Sequence, residues 1–243
     1  MGSVYQNSYL TLAGASSSQS TDGLFFQSPK LEISGKNVDG PYHIYARREI
    51  NHHAQSFPLL KRGWVTQETM LAPRTLFCGE QELVWYCRTS SACQCSAQDN
   101  DEAFYSINTK LPRINELQKF LNGPKLVKMW YDIVDVYSTT CLTYPSDKLV
   151  AIDGIASYMQ GLRNCEYLAG LWADSLALDL LWSVDTLGRS SKRRVQTDPP
   201  PAKTKWTSKN WMFPTWSWSS IEGRVVYDWV EHLSEIMHHR VFS

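Results

Sequence analysis

The most informative stretch of the chain is Arg62-Gly63-Trp64-Val65-Thr66-Gln67-Glu68, which is followed closely by Leu71-Ala72-Pro73-Arg74-Thr75-Leu76. A helix that begins near Trp64 places Trp64, Glu68 and Leu71 at positions i, i+4 and i+7, so the acid shares a face with two apolar side chains. Proline then ends the helix and leads the chain into a strand. The stretch therefore predicts a helix with a partly desolvated carboxylate, followed by a strand.

Glu68 is the candidate functional acid of this helix, and its charge state depends on its neighbours. Burial would favour the protonated acid, whereas the guanidinium group of Arg62 or Arg74 would favour the carboxylate. Either environment is typical of a functional site. The alternative is a helix whose Glu68 pairs with one of the two arginines at the surface, as most charged helix residues are solvated.

Composition limits the classes of partner. The chain has 243 residues with 24 basic and 24 acidic side chains, so its formal net charge is +0. No field of one sign points to nucleic acid or to an anionic membrane, and we predict neither as a partner. Neither a signal peptide nor an apolar run long enough for a membrane span is present in the sequence. We therefore expect a cytoplasmic protein.

Cysteines are spread too unevenly for the disulfide framework of a secreted protein, which favours a reducing compartment. A thiolate zinc site is an alternative for four of them, although only one closely spaced pair approaches the usual knuckle spacing. Buried thiols are the favoured interpretation, and no metal is predicted. The four cysteines in question are Cys78, Cys87, Cys93 and Cys95.

The first hundred residues carry the strand signals. Residues 8–15 read as a short buried strand, residues 16–40 as loop, and residues 43–47 as a second strand. Residues 75–78 and 83–87 flank the turn 79–82 and predict a hairpin.

Apolar residues in the second half recur at helical spacing. Helices are predicted over residues 126–137, from Ser146 to Met159, and over residues 176–182. We therefore predict that the chain has two parts: residues 1–100, which carry the strands, and residues 101–243, a helical region that packs on them.

Tryptophan is unusually frequent, with 10 in the chain. In Pro214-Thr215-Trp216-Ser217-Trp218-Ser219 the indoles alternate with small residues, and a strand would place Trp216 and Trp218 on one face. Two interpretations remain open: an aromatic platform that binds a ligand, and a lid on the core, which the two-residue period favours.

Taken together, these segments resemble the fungal HET (heterokaryon incompatibility) domain family. The resemblance covers nearly the whole chain, and its segments occur in the family's order. The matching segments are Met1–Ala13, Arg62–Glu68, Leu71–Leu76, Leu83–Cys87, Thr143–Lys148, Tyr167–Trp172 and Pro214–Ser219.

The resemblance implies a protein of filamentous fungi that triggers cell death when genetically different hyphae fuse. It also implies an α/β fold similar to the TIR domain, with a flavodoxin-like sheet in residues 1–100 and a helical HET-associated region in residues 101–243. TIR enzymes that cleave NAD carry their catalytic glutamate in a Trp-x-x-x-Glu helix. By this resemblance Glu68 would act at the nicotinamide ribose, with Trp64, Arg62 and Arg74 in support.

The chain departs from the family pattern, because the two segments that usually precede Met1 are missing. Those segments would supply central strands and part of a nucleotide pocket, so we expect an N-terminally truncated, α+β form of the domain. The leading hypothesis is action through protein partners of the incompatibility system, with self-association through an exposed strand edge. The alternatives are an NAD glycohydrolase that uses Glu68 and a divergent enzyme of a metabolic gene cluster that binds a ligand at Trp216 and Trp218.

Overall fold

The computed structural model of the chain describes residues 1–25, 30–46, 57–94, 123–185 and 213–229. Within them the chain has an α+β fold, which confirms the predicted class. The described α-helices are α1 (Gly2–Gln6), α2 (Gly63–Leu71), α3 (Pro124–Ser138), α4 (Asp153–Arg163) and α5 (Leu176–Asp179). Short 3₁₀ turns lie at Pro58–Lys61, Pro145–Asp147, Val150–Ile152, Ala173–Ser175 and Trp218–Ser220.

Ten short strands form one four-stranded sheet and three two-stranded pairs within the described residues. The four-stranded sheet has the order β1-β4-β5-β6, with β1 parallel to β4 and the other pairs antiparallel. The pairs are β2 with β3, β7 with β8, and β9 with β10, all antiparallel. The strands are β1 (Thr11–Ala13), β2 (Leu31–Asn37), β3 (Gly40–Ala46), β4 (Arg74–Cys78), β5 (Leu83–Cys87), β6 (Ser91–Cys93), β7 (Tyr167–Leu168), β8 (Leu171–Trp172), β9 (Ser183–Val184) and β10 (Val225–Val226).

The elements in and after residues 62–76 agree with those predicted from the sequence. Helix α2 begins at Gly63 and ends before Pro73, and β4 pairs with β5 across the predicted turn. Helix α3 covers the predicted residues 126–137. The flavodoxin-like detail of the sheet stays a prediction, since the parallel pair of the four-stranded sheet is limited to β1 and β4.

Two N-terminal predictions are wrong. The predicted buried strand 8–15 is a three-residue strand preceded by α1, and Tyr9 and Leu12 are 83% and 54% exposed. The reason is the position of β1 at the edge of the sheet, where its outer side meets no described strand. The segment 31–37, predicted as loop, is β2, which pairs with β3 along its full length.

C-terminal elements also differ from the predicted ones. Regular helix α4 begins at Asp153, after two 3₁₀ turns, and α5 is four residues long. Trp216 and Trp218 do not share the face of a strand, because Trp218 opens a 3₁₀ turn. Trp218 is fully buried, whereas Trp216 is nearly half exposed.

The main core is centred on α3 and α4 and holds most of the buried aromatic rings. The carbonyl oxygen of Gly170, in the turn between β7 and β8, accepts hydrogen bonds from the indole nitrogens of both Trp130 and Trp218, each at 2.9 Å. Ala169 and Gly170 have φ values of 47° and 101°, as a two-residue turn of type I′ requires. This turn joins α3 to the segment 213–229.

A smaller core lies beneath the four-stranded sheet, around Phe77 and Val84. Helix α2 packs on the main core instead, since Met70 and Leu71 belong to it. The division at residue 100 stays a prediction. None of the helices in the described parts of the chain has the length and apolar character that crossing a membrane takes.

Substitution of Gly170 by alanine should lower the free energy of unfolding by at least about 2 kcal/mol, because the new Cβ adds backbone strain and meets a buried ring. A Cβ on Gly170 would lie 2.7 Å from Trp218 Nε1. The matched control is Gly161→Ala in α4, where a Cβ meets nothing within 4 Å. We expect the control to unfold in urea within about 1 kcal/mol of the wild type or above it. Equal stability of the two variants would contradict the assignment of the turn.

Candidate functional site

Helix α2 is fixed at its start by the segment that follows α3. The Gly63 N–H donates to the Cys141 carbonyl at 2.8 Å, and the Cys141 N–H donates to the Lys61 carbonyl at 2.6 Å. A side chain at Gly63 would collide with Leu142, 2.7 Å from its Cβ. Glycine at position 63 therefore permits the close approach that sets the position of Trp64.

A cavity of about 750 Å³ lies between α1, α2 and α4. Trp64 and Gln67 line it from α2, and Asp153 and Tyr158 line it from α4. The two outer helices approach closely, since a Cβ on Gly2 would lie 3.0 Å from Gly154 Cα. Its volume falls in the range of small-molecule sites, ~300–1,000 Å³.

Glu68 does not line this cavity. Its half-buried carboxylate lies near the Tyr5 hydroxyl of α1. Burial, the charge of Glu68 and hydrogen bonding with its carboxylate together raise the pKa of Tyr5 to about 12. The Trp-x-x-x-Glu helix thus exists, but Trp64 faces the cavity while Glu68 faces Tyr5.

The support of Glu68 by Arg62 and Arg74 stays a prediction, because the described contacts of these arginines are with other residues. Arg62 is exposed and precedes the first turn of α2. The Arg74 guanidinium donates to the Tyr9 carbonyl at 3.2 Å and lies 5.0 Å from the centre of the Tyr9 ring. The sequence correctly predicts helix α2 and strand β4. The described contacts of Arg74 are with Tyr9.

Trp218 is held by Lys148, and Trp216 lies apart from it. The Lys148 ammonium donates to the Ile221 carbonyl and lies 5.5 Å from the centre of the Trp218 ring. Burial lowers the pKa of Lys148 to about 8. The Trp216 carbonyl accepts a hydrogen bond from the Trp182 indole at 2.9 Å. Trp218 lies in the packed core, which favours the interpretation that it covers the core over the interpretation that it forms a ligand-binding platform.

Sequence reasoning missed the buried carboxylate of Asp179. It accepts hydrogen bonds from the Tyr131 hydroxyl at 2.6 Å, the Ser175 hydroxyl at 2.7 Å and the Trp172 N–H at 2.7 Å. Burial raises the pKa of Asp179, although the three donors act in the opposite direction. These three hydrogen bonds lie inside the core. Asp179 therefore connects α5 to α3 and to β8.

Among the described cysteines, Cys87 has the surroundings that most favour the thiolate form. Its sulfur lies 3.3 Å from Thr89 Oγ1 and 3.4 Å from both Ser90 Oγ and the Ser90 backbone nitrogen, in the turn between β5 and β6. Burial by itself raises the pKa of this thiol, but the hydrogen bonds from Ser90 and Thr89 outweigh burial and lower the pKa to about 6. A thiolate at neutral pH is a nucleophile.

The cysteines considered as zinc ligands do not converge where the structure describes them. Cys78, Cys87 and Cys93 are free thiols. Cys95 lies outside the described residues. Among the residues that the structure describes, no group of three or more His, Cys, Asp or Glu side chains is placed to hold a metal ion.

Comparisons with known proteins do not identify a family for this chain. The chain matches no protein-family model, no curated protein and no solved structure. The resemblance to HET domains therefore stays a prediction from the segments of the sequence.

Alkylation should separate Cys87 from the other cysteines. Because its pKa is about 6, whereas burial raises the pKa of Cys78 and Cys165, its reaction with iodoacetamide should rise between pH 5 and 7 and then level off. Peptide mapping by mass spectrometry measures each rate. Ser90→Ala, which removes one hydroxyl partner, should move the Cys87 profile to higher pH. A Cys87 profile that coincides with that of Cys78 would show that the thiolate is not stabilised.

Proposed function

We propose that the chain is a protein of the HET type that acts through protein interaction in fungal self/non-self recognition and cell death. A cytoplasmic location belongs to this proposal and fits the free thiols of the described cysteines. The resemblance of the seven segments supports the family. The mode of action is supported by one observation, the exposed apolar face of the β2–β3 hairpin.

The hairpin has one apolar and one polar face. Leu31 pairs with Ala46, Ile33 with Ile44, and Gly35 with Tyr42, so their side chains lie on the same side. Ile33 and Ile44 at the centre of this apolar face are 46% and 54% exposed. A two-stranded hairpin with an uncovered apolar face is marginal in water, so a partner on that face would stabilise it.

Polar residues cover the opposite face. His43 Nδ1 lies 2.9 Å from Glu32 Oε1 and 3.0 Å from Ser34 Oγ. The Lys30 ammonium lies 4.4 Å from the centre of the Tyr45 ring. The hairpin therefore has the alternation of a strand pair that is covered on one side and solvated on the other.

The proposed partner on the apolar face is a second copy of the chain. Ile33 and Ile44 are opposite each other at its centre, so a twofold axis there stacks like surfaces on each other. The formal net charge of +0 means that two copies do not repel each other through their net charge. A standard interface takes about 20–30 residues from each partner. The face is much smaller, so the association should be weak and reversible.

The alternative in which Glu68 cleaves NAD receives less support. A catalytic carboxylate must reach the reacting bond within a pocket that holds the substrate. The Glu68 carboxylate lies against the Tyr5 hydroxyl, and the cavity beside α2 is lined by its neighbours Trp64 and Gln67. The alternative of a ligand site at Trp216 and Trp218 is likewise not favoured, because Trp218 is fully buried.

Sedimentation over protein concentrations of tens to hundreds of micromolar should show a weak monomer–dimer equilibrium. Ile44→Lys should weaken the dimer at least about tenfold, because it places like charges at the centre of the twofold interface. The matched control is His43→Lys, which adds the same side chain to the polar face one residue earlier.

The control should associate like the wild type. A wild-type chain that stays monomeric throughout this range, or two variants that lose association equally, would contradict the proposed interface.

A further inference from the structure

We propose that the outer edge of β2 pairs with the same edge of a second copy, antiparallel about a twofold axis at Ser34. The pairing produces a continuous sheet with the strand order β3-β2-β2-β3. It rests on the proposed function in taking a second copy of the chain as the partner. It uses a different surface, because it joins backbone groups at the strand edge and leaves the apolar face of the hairpin uncovered.

The backbone groups that β2 directs away from β3 follow from the position of Pro41. In an antiparallel pair, hydrogen-bonded residue pairs alternate with pairs that exchange no hydrogen bonds. Pro41 has no N–H and lies opposite Lys36 in the middle of the paired strands, so this pair is of the second kind. The same holds for every second residue of β2. Glu32, Ser34 and Lys36 therefore direct their N–H and C=O groups outward.

The outer edge of β2 is open to another strand, whereas that of β3 is interrupted. Among the described strands, β2 pairs with β3 alone, and its seven residues include no proline. On β3 the outward positions include Pro41, which offers no donor. An unbroken row of backbone donors and acceptors is a template for pairing with another chain. The edge of β2 is therefore the one that a second copy extends.

Charge complementarity selects the twofold axis at Ser34. In this register Glu32 lies opposite Lys36 of the second copy, and Lys36 lies opposite Glu32 of the second copy. Both side chains are exposed and lie on the polar face of the hairpin. Opposite charges that face each other across two strands stabilise the pair. The symmetric register thus contains this favourable contact twice.

Neighbouring registers lose these contacts. A twofold axis at Ile33 still brings the outward groups together, but it places Lys30 opposite Lys36 of the second copy, which is destabilising. A twofold axis at Gly35 places Lys36 opposite a serine. The axis at Ser34 also pairs β2 along its full length, Leu31–Asn37.

Edge pairing extends the apolar face of the hairpin. On this face Ile33 would lie opposite Gly35 of the second copy. The Tyr42 side chain covers Gly35, since a Cβ on Gly35 would lie 2.5 Å from the Tyr42 hydroxyl oxygen. Ile33 of one copy therefore packs beside Tyr42 of the other, and two hairpins present one apolar surface. Four strands with a shared apolar face are also more stable than an isolated two-stranded hairpin.

Mixing two charge variants tests the register. In Glu32→Lys alone, both facing pairs consist of two lysines, and in Lys36→Glu alone, both consist of two glutamates. A mixture of the two variants makes both pairs attractive again, with the charges exchanged between the copies. Neither substitution changes the apolar face, so association through that face is the same for each variant alone and for the mixture.

The measurement is nuclear magnetic resonance of the ¹⁵N-labelled Glu32→Lys chain, titrated with an unlabelled partner. Unlabelled Lys36→Glu should shift the Ser34 backbone amide and slow its hydrogen exchange. Its affinity should be at least about tenfold higher than that of unlabelled Glu32→Lys, because two repulsive pairs are replaced by two attractive ones. The matched control partner is Lys128→Glu, which makes the same change of charge on α3, where Lys128 pairs with Asp132. It should bind more weakly than Lys36→Glu.

The proposal is wrong if Lys36→Glu and Lys128→Glu shift the Ser34 amide with equal affinity. It is also wrong if neither shifts this amide at partner concentrations up to about 1 mM, the weak limit of specific association. The sedimentation of Ile44→Lys reports on the apolar face and not on these charges. Failure of edge pairing and failure of the proposed face interface are therefore separate results.

Discussion

The Gly170 carbonyl is the acceptor on which the rest of the structure depends. Two indole N–H groups, from Trp130 in α3 and from Trp218 near the C-terminal end of the described chain, converge on this one oxygen. Both indoles are fully buried, so each needs a partner for its N–H. A single turn between two very short strands thereby joins one segment 40 residues before it to another 48 residues after it.

The position of α2 follows from this core. Its Met70 and Leu71 pack among residues of α3 and α4, while Gly63 fixes its start against Leu142. Gln67 is then turned toward Gly154, and Glu68 toward Tyr5. Trp64 and Gln67 line the cavity, whereas Glu68 is turned toward Tyr5. An interaction role through the hairpin does not need Glu68.

Sequence patterns predicted the elements whose signals are local. Helix α2 has an apolar spacing that ends at Pro73, and β4–β5 has a turn between two apolar runs. The sequence does not predict strand β2. This strand is stabilised by its pairing with β3, and a segment that contains Gly35 shows no strand signal when it is considered alone. The alternation with serine predicts a strand at Trp218, whereas the hydrogen bond of its indole to the distant Gly170 determines its position. Gln67 and Cys87 depend on neighbours that spacing does not reveal.

The most direct test of an interaction role is induced expression in a filamentous fungus, with viability and NAD content measured in the same cells. Three forms are compared: the wild type, Glu68→Ala and Ile44→Lys. The account predicts that the wild type and Glu68→Ala both kill without a loss of NAD, and that Ile44→Lys does not kill. Death accompanied by NAD loss that disappears in Glu68→Ala would contradict it, and would make the chain an enzyme.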